Sequence, residues 1–102
     1  MRNIEIELPP DVSLEEMAAA IDRAIVHVGL SVTLRGSLKK FPGCTHWHAK
    51  LGRQAGTLEI TLWPQQRRAW FTIQNGRAAS WIADQMKSIS SAIGQRLAKQ
   101  DC

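Results

Sequence analysis

The chain reads as an α+β two-layer sandwich, an antiparallel sheet of four to five strands with two helices on one face, in the order β-α-β-β-β-β-α. Three observations predict it. Two segments carry apolar residues on one side only, at helical spacing; several shorter ones alternate apolar and polar residues; and the breaks between the middle segments are short, as antiparallel neighbours require.

In Asn3–Leu8, Ile4, Ile6 and Leu8 alternate with Glu5 and Glu7, the period of a half-buried strand, and Pro9-Pro10 ends it by removing two backbone donors. Ser13 then caps a helix, with Glu16 three residues on to complete a capping box. Leu14, Met17, Ala18, Ile21, Ala24, Ile25 and Val28 form its apolar stripe, and Gly29 suits the left-handed turn that closes it. Leu30, Val32 and Leu34 alternate with Ser31, Thr33 and Arg35 in the next strand. Phe41-Pro42-Gly43-Cys44, with Pro second and Gly third, predicts a type II turn. Thr45–Leu51, Thr57–Trp63 and Arg68–Gln74 read as strands separated by turns at Gly52–Gly56 and Pro64–Arg67, and Asn75-Gly76 marks the exit. Ile82, Met86, Ile89, Ile93 and Leu97 make the stripe of a second helix, with Trp81 packing at its start and Arg96 and Lys99 near the negative end of its dipole.

A length of 102 residues suits one domain, 1–102, and 44% hydrophobic with 22% charged residues excludes a disordered chain. No apolar run approaches the ~20 residues that span a bilayer, and Met1–Leu8 lacks the apolar stretch of a signal peptide. Cys44 and Cys102 are too few for a disulfide framework. The expectation is a soluble cytoplasmic protein with no membrane partner. Charge is uneven: residues 1–30 sum to −4, residues 31–79 to +7, and residues 80–102 to +1. A basic middle segment suits an anionic partner, or a partner surface like the acidic first segment.

Strand register turns this into a candidate surface. The turn at Pro42-Gly43 sets Leu38 opposite Trp47 and Leu34 opposite Leu51. Apolar matching then pairs Trp47 with Leu62 and Ala49 with Ile60, and the next turn pairs Leu62 with Ala69 and Ile60 with Phe71. One face is then apolar beneath the helices. The other carries three rows: Lys39, His46, Trp63 and Arg68; Ser37, His48, Thr61 and Trp70; Arg35, Lys50, Glu59 and Thr72, with Glu59 beside Lys50 as an ion pair.

Three functions suit that face. The first is a small basic, non-enzymatic binding module in which Trp63 and Trp70 stack on bases while Lys39, His46, His48, Lys50 and Arg68 meet the phosphates of a nucleic acid or other polyanion. The second is a protein-interaction or homodimerisation module using the same indoles, with Lys39 and Arg68 at its rim. The third is a metal or hydrolytic site on His46-Trp47-His48. Its imidazoles lie on one side of a strand about 6.8 Å apart along the chain, near enough to reach one zinc ion. Glu59 is the nearest carboxylate to supply a third ligand, with Lys50 competing for it. The plain alternative to all three is that Trp63 and Trp70 pack on each other, under a loop or under the amino-terminal segment. No cofactor other than zinc is suggested, and no Ser–His–Asp, Cys–His or paired-carboxylate set appears.

Overall fold

Five strands and two helices form in a computed structural model: β1 (Arg2–Ile6), α1 (Leu14–His27), β2 (Ser31–Gly36), β3 (Thr45–Lys50), β4 (Leu58–Trp63), β5 (Arg68–Ile73) and α2 (Ser80–Gln100). The structure describes residues 1–8 and 12–100, without the side chains of Leu14 and residues 95–100. The Pro9-Pro10 break, the side chains of Arg96, Leu97 and Lys99, and Cys102 therefore lie outside the described residues. No helix among them is long and apolar enough to cross a membrane.

The strands are all antiparallel, in the order β1-β5-β4-β3-β2, so the amino-terminal strand takes the edge beside β5. Both helices cover one face. Met17, Ile21, Ala24 and Ile25 of α1 and Ile82, Ile89 and Ile93 of α2 pack on Trp47, Ala49, Leu58, Ile60, Leu62, Ala69 and Phe71 from the sheet. Local signals set the helix ends. Ser13 Oγ accepts from Glu16 N–H over 3.2 Å, and α1 closes in paired bonds from Gly29 N–H to Val26 C=O and Leu30 N–H to Ile25 C=O, with Gly29 at φ +88°. Trp81 is buried at the start of α2, its indole donating to Ala55 C=O over 2.9 Å.

Register agrees with the sequence reading in one hairpin and departs from it in two. In β4–β5, Leu62 faces Ala69, Ile60 faces Phe71 and Trp63 faces Arg68, as expected. In β3–β4, Trp47 faces Ile60 rather than Leu62, because a turn closed by Gln54 N–H to Leu51 C=O takes Leu51 out of the ladder. This is a two-residue slide, which preserves the faces but sets His48, not Lys50, opposite Glu59. In β2–β3 the expected turn is present, with Cys44 N–H on Phe41 C=O and Gly43 at φ +84°. A second turn, Phe41 N–H to Leu38 C=O, precedes it, so residues 37–44 form a loop rather than a hairpin tip. Leu34 consequently stands opposite His48 and Arg35 opposite Trp47, with a register irregularity between Val32 and Leu34. This odd shift exchanges the sides of β2 beyond the irregularity: Leu34 joins the face away from the helices and Arg35 leaves it, while Val32 stays opposite Ala49.

The displaced Arg35 is put to structural use. Its guanidinium pairs with Asp22 of α1 through two bonds of 3.0 and 3.1 Å and lies 5.5 Å from the centre of the Trp47 ring. Asp22 Oδ1 also accepts the indole N–H of Trp47 over 2.7 Å, which satisfies the polar atom of a fully buried side chain. Stripping Asp22 of its carboxylate leaves that N–H without a partner, which costs ~1–3 kcal/mol, whereas an exposed ion pair contributes ~0–1 kcal/mol. Urea denaturation should accordingly show Asp22→Ala to be more destabilising than Arg35→Ala, by about 1 kcal/mol or more.

Candidate metal centre

The face away from the helices brings His46 and His48 of β3 together with Glu59 and Thr61 of β4. Direct cross-strand pairing sets His46 against Thr61 and His48 against Glu59, and the short diagonal brings His46 to Glu59 as well. The two imidazole rings lie 5.0 Å apart, centre to centre, and nearly perpendicular, at 76°. His46 Nε2 is 3.1 Å from His48 Nε2 and 3.1 Å from Glu59 Oε1, and His48 Nε2 is 3.5 Å from the same oxygen. Among the described residues, these three are the group of His, Cys, Asp and Glu side chains close enough to share an ion.

This triangle has the size of a ligand set. An ion about 2.0–2.2 Å from each donor holds them ~3.0 Å apart in octahedral and ~3.4 Å apart in tetrahedral geometry. The outer nitrogen of His46 is already engaged: Nδ1 lies 2.8 Å from the hydroxyl of Thr61, itself buried. Such a bond orients a ligating imidazole and aims its other nitrogen at the ion.

Electrostatics favours the same use. With His46 protonated on Nδ1 toward Thr61 and His48 on either nitrogen, neutral rings leave at least two lone pairs on the triangle and at most one N–H between them. A second proton is opposed, because burial holds His46 below its ordinary value of 6.5, with the charge of His48 acting in the same direction and Glu59 only partly offsetting them. Glu59 is a buried carboxylate whose one arginine partner, among the described residues, is Arg77 Nη1 at 3.9 Å from Oε2. Neutral imidazoles and an ionised carboxylate are the protonation states that bind a divalent ion.

The indole half of the face is differently arranged. Trp70 is only 6% exposed. Phe41, from the 37–44 loop, packs its ring 5.0 Å from both Trp63 and Trp70, centre to centre, and the Trp63 indole donates to Pro42 C=O over 3.0 Å. The loop therefore covers the surface on which bases were expected to stack. Arg68 lies over Trp70 at 5.0 Å and pairs with Glu5 of β1. Lys39 sits in the loop and is exposed, while Lys50 is opposite Ser31 at the far end of β3. Of the seven residues singled out from the sequence, His46 and His48 thus meet at the cluster, and Trp63, Arg68 and Trp70 form a separate aromatic patch. Leu34, Leu38 and Arg77, which also lie beside the cluster, carried no sequence signal: Leu34 and Leu38 reach it through the β2–β3 register shift and the folding of the 37–44 loop, and Arg77 through the turn that follows β5.

No family model, curated protein or solved structure matches the chain. The chemistry of the cluster is therefore read from its own residues.

Two outcomes follow from this geometry. Removing the Phe41 ring uncovers both indoles, so Phe41→Ala should shift tryptophan emission to the red while the far-ultraviolet circular dichroism stays that of the parent. The folded state also disfavours protonated His46 relative to the unfolded chain, whose imidazole titrates near 6.5. Its neutral form thus contributes stability that is complete above pH 6.5 and lost as the pH falls through that value toward the lower folded pKa. In the metal-free protein the loss of melting temperature between pH 7 and 5 should be smaller in His46→Gln, with His48, Glu59 and Arg77 unchanged.

Proposed function

We propose that this protein binds a divalent first-row transition metal, zinc foremost, through His46 Nε2, His48 Nε2 and Glu59 Oε1. The observation that carries the reading is the triangle of 3.1, 3.1 and 3.5 Å formed by those atoms, which lies within the range of donor separations around a single ion. Three supports accompany it: the Thr61 bond behind His46, the bias of His46 toward its neutral form, and the burial of the Glu59 carboxylate. Two imidazoles with one carboxylate form a ligand set of zinc sites that keep a position open, and also of non-haem iron(II) sites. We also propose a cytoplasmic location, which the free thiol of Cys44 supports, since a reducing compartment keeps thiols unpaired. A nucleic-acid or homodimer partner now rests on the exposed cations of the face, because Phe41 covers the indoles.

Calorimetric titration of the metal-free protein with Zn²⁺ should give one ion per chain, with proton release that grows as the pH falls toward the imidazole range. At a free ion concentration of 100 times Kd the folded state gains about 2.7 kcal/mol, read as a rise in melting temperature. His46→Ala, His48→Ala and Glu59→Gln should each lose more affinity than the ~10–100-fold expected of an outer-shell change such as Thr61→Val. Unchanged zinc affinity in all three ligand variants would overturn the assignment.

A further inference from the structure

The cluster lies at the wall of a cleft of about 570 Å³, between the 37–44 loop and the turn that follows β5. That volume is in the range of small-molecule sites. Its sides differ in chemistry. Leu34 and Leu38 form an apolar wall, and Arg77 with Gln74 and Asn75 forms the polar one. Leu34 is 47% exposed, a large apolar side chain facing solvent from an edge strand.

Arg77 is held by its backbone while its side chain is left largely in solvent. Its N–H donates to Gln74 C=O over 3.1 Å, closing the turn, and its C=O accepts from Thr57 N–H over 3.0 Å. The latter contact needs glycine at 56: with φ +103°, a Cβ there would stand 2.6 Å from the Ala79 Cβ and 3.1 Å from the Arg77 carbonyl. The side chain is 52% exposed and reaches Glu59 only at 3.9 Å, so its hydrogen-bonding fork is not occupied by that pair.

Charge sets the class of ligand. Glu59 is the one acid among the described residues lining the cleft. A divalent ion held by two neutral imidazoles and Glu59 keeps a net positive charge, and Arg77 adds another. That charge favours an anion over water on the open side, and an arginine fork matches the two oxygens of a carboxylate. We propose that the cleft binds a small organic carboxylate, its oxyanion ligating the ion and paired with Arg77, and its apolar stem on Leu34 and Leu38. This rests on the metal reading above. Inorganic phosphate offers the same oxyanion chemistry without the stem, which makes it the natural comparison.

The test uses the full chain loaded with Co²⁺, whose visible absorption reports both ion binding and any change of ligand. Titration with acetate, valerate and inorganic phosphate should change the spectrum, with valerate binding at least ~10-fold tighter than acetate, as three added methylenes on an apolar wall allow. Arg77→Gln should weaken valerate at least ~10-fold while Co²⁺ affinity holds or rises, since a positive neighbour is removed. The exposed Leu34→Ser should erase the preference of valerate over acetate without loss of fold. Bound Co²⁺ whose spectrum responds to no anion overturns the proposal and leaves the metal site standing. Phosphate preferred over valerate, or valerate binding unaffected by Arg77→Gln, likewise overturns it. Failure to bind Co²⁺ at all removes the metal reading and this inference together.

Discussion

The constraint on which the structure turns is the burial of Trp47. An indole this large has to lie beneath the helical layer, where its ring packs among α1, α2 and the neighbouring strands and its N–H is met by Asp22. Because successive side chains of a strand alternate, that single commitment sends His46 and His48 to the opposite side. A slip of one residue would expose the indole and bury two imidazoles, at a cost of several apolar side chains' burial, each worth ~1.5–3 kcal/mol, together with unpaired polar atoms. The histidine pair is thus held in position by the core beneath it.

Glu59 and Thr61 are placed by the same logic on β4, where Leu58, Ile60 and Leu62 are fully buried on the helix side. Four polar side chains consequently meet at adjacent positions of two interior strands, each flanked by a strand on both sides. The 37–44 loop then folds across this face, with Leu38 beside His46 and Glu59 and Phe41 over the two indoles. Covering a polar cluster is costly unless its members bond one another. Here they do, in a chain running from Thr61 through His46 to Glu59 and His48.

Much of this was legible in the sequence, for a physical reason: period and phase are local properties. The element order, both helix stripes among the described side chains, the capping by Ser13, the β4–β5 register and the outward direction of His46, His48, Glu59 and Trp70 all follow from alternation and turn chemistry. Edge placement of β1 and the loop lengths do not, because they depend on contacts between residues distant in sequence. The Pro42-Gly43 turn is present as its residues predict but does not set the register, since the adjoining turn at Leu38–Phe41 lengthens the connection. That one feature moved Leu34 to the site and Arg35 away from it. The sliding of β3 against β4 was invisible for a related reason: Ile60 and Leu62 are equally good partners for Trp47, so apolar matching alone does not choose between registers two residues apart. The choice decided whether Glu59 met a lysine or an imidazole.

Rigidity is divided across the site in a way that bears on what it selects. The three proposed donor atoms belong to β3 and β4, flanked on both sides by other strands and backed by the core, so the fold itself sets their separations. The cleft walls come instead from β2, an exposed edge strand, and from two connecting segments. Preorganised donors lower the cost of ordering the ligands and fix the spacing offered to the ion. Peripheral walls would leave the choice of the proposed anion to residues that can change without disturbing the core. Leu34, Leu38 and Arg77 can thus vary without disturbing the core, whereas His46, His48 and Glu59 cannot move without also moving Trp47, between the two histidines, and Ile60, next to Glu59.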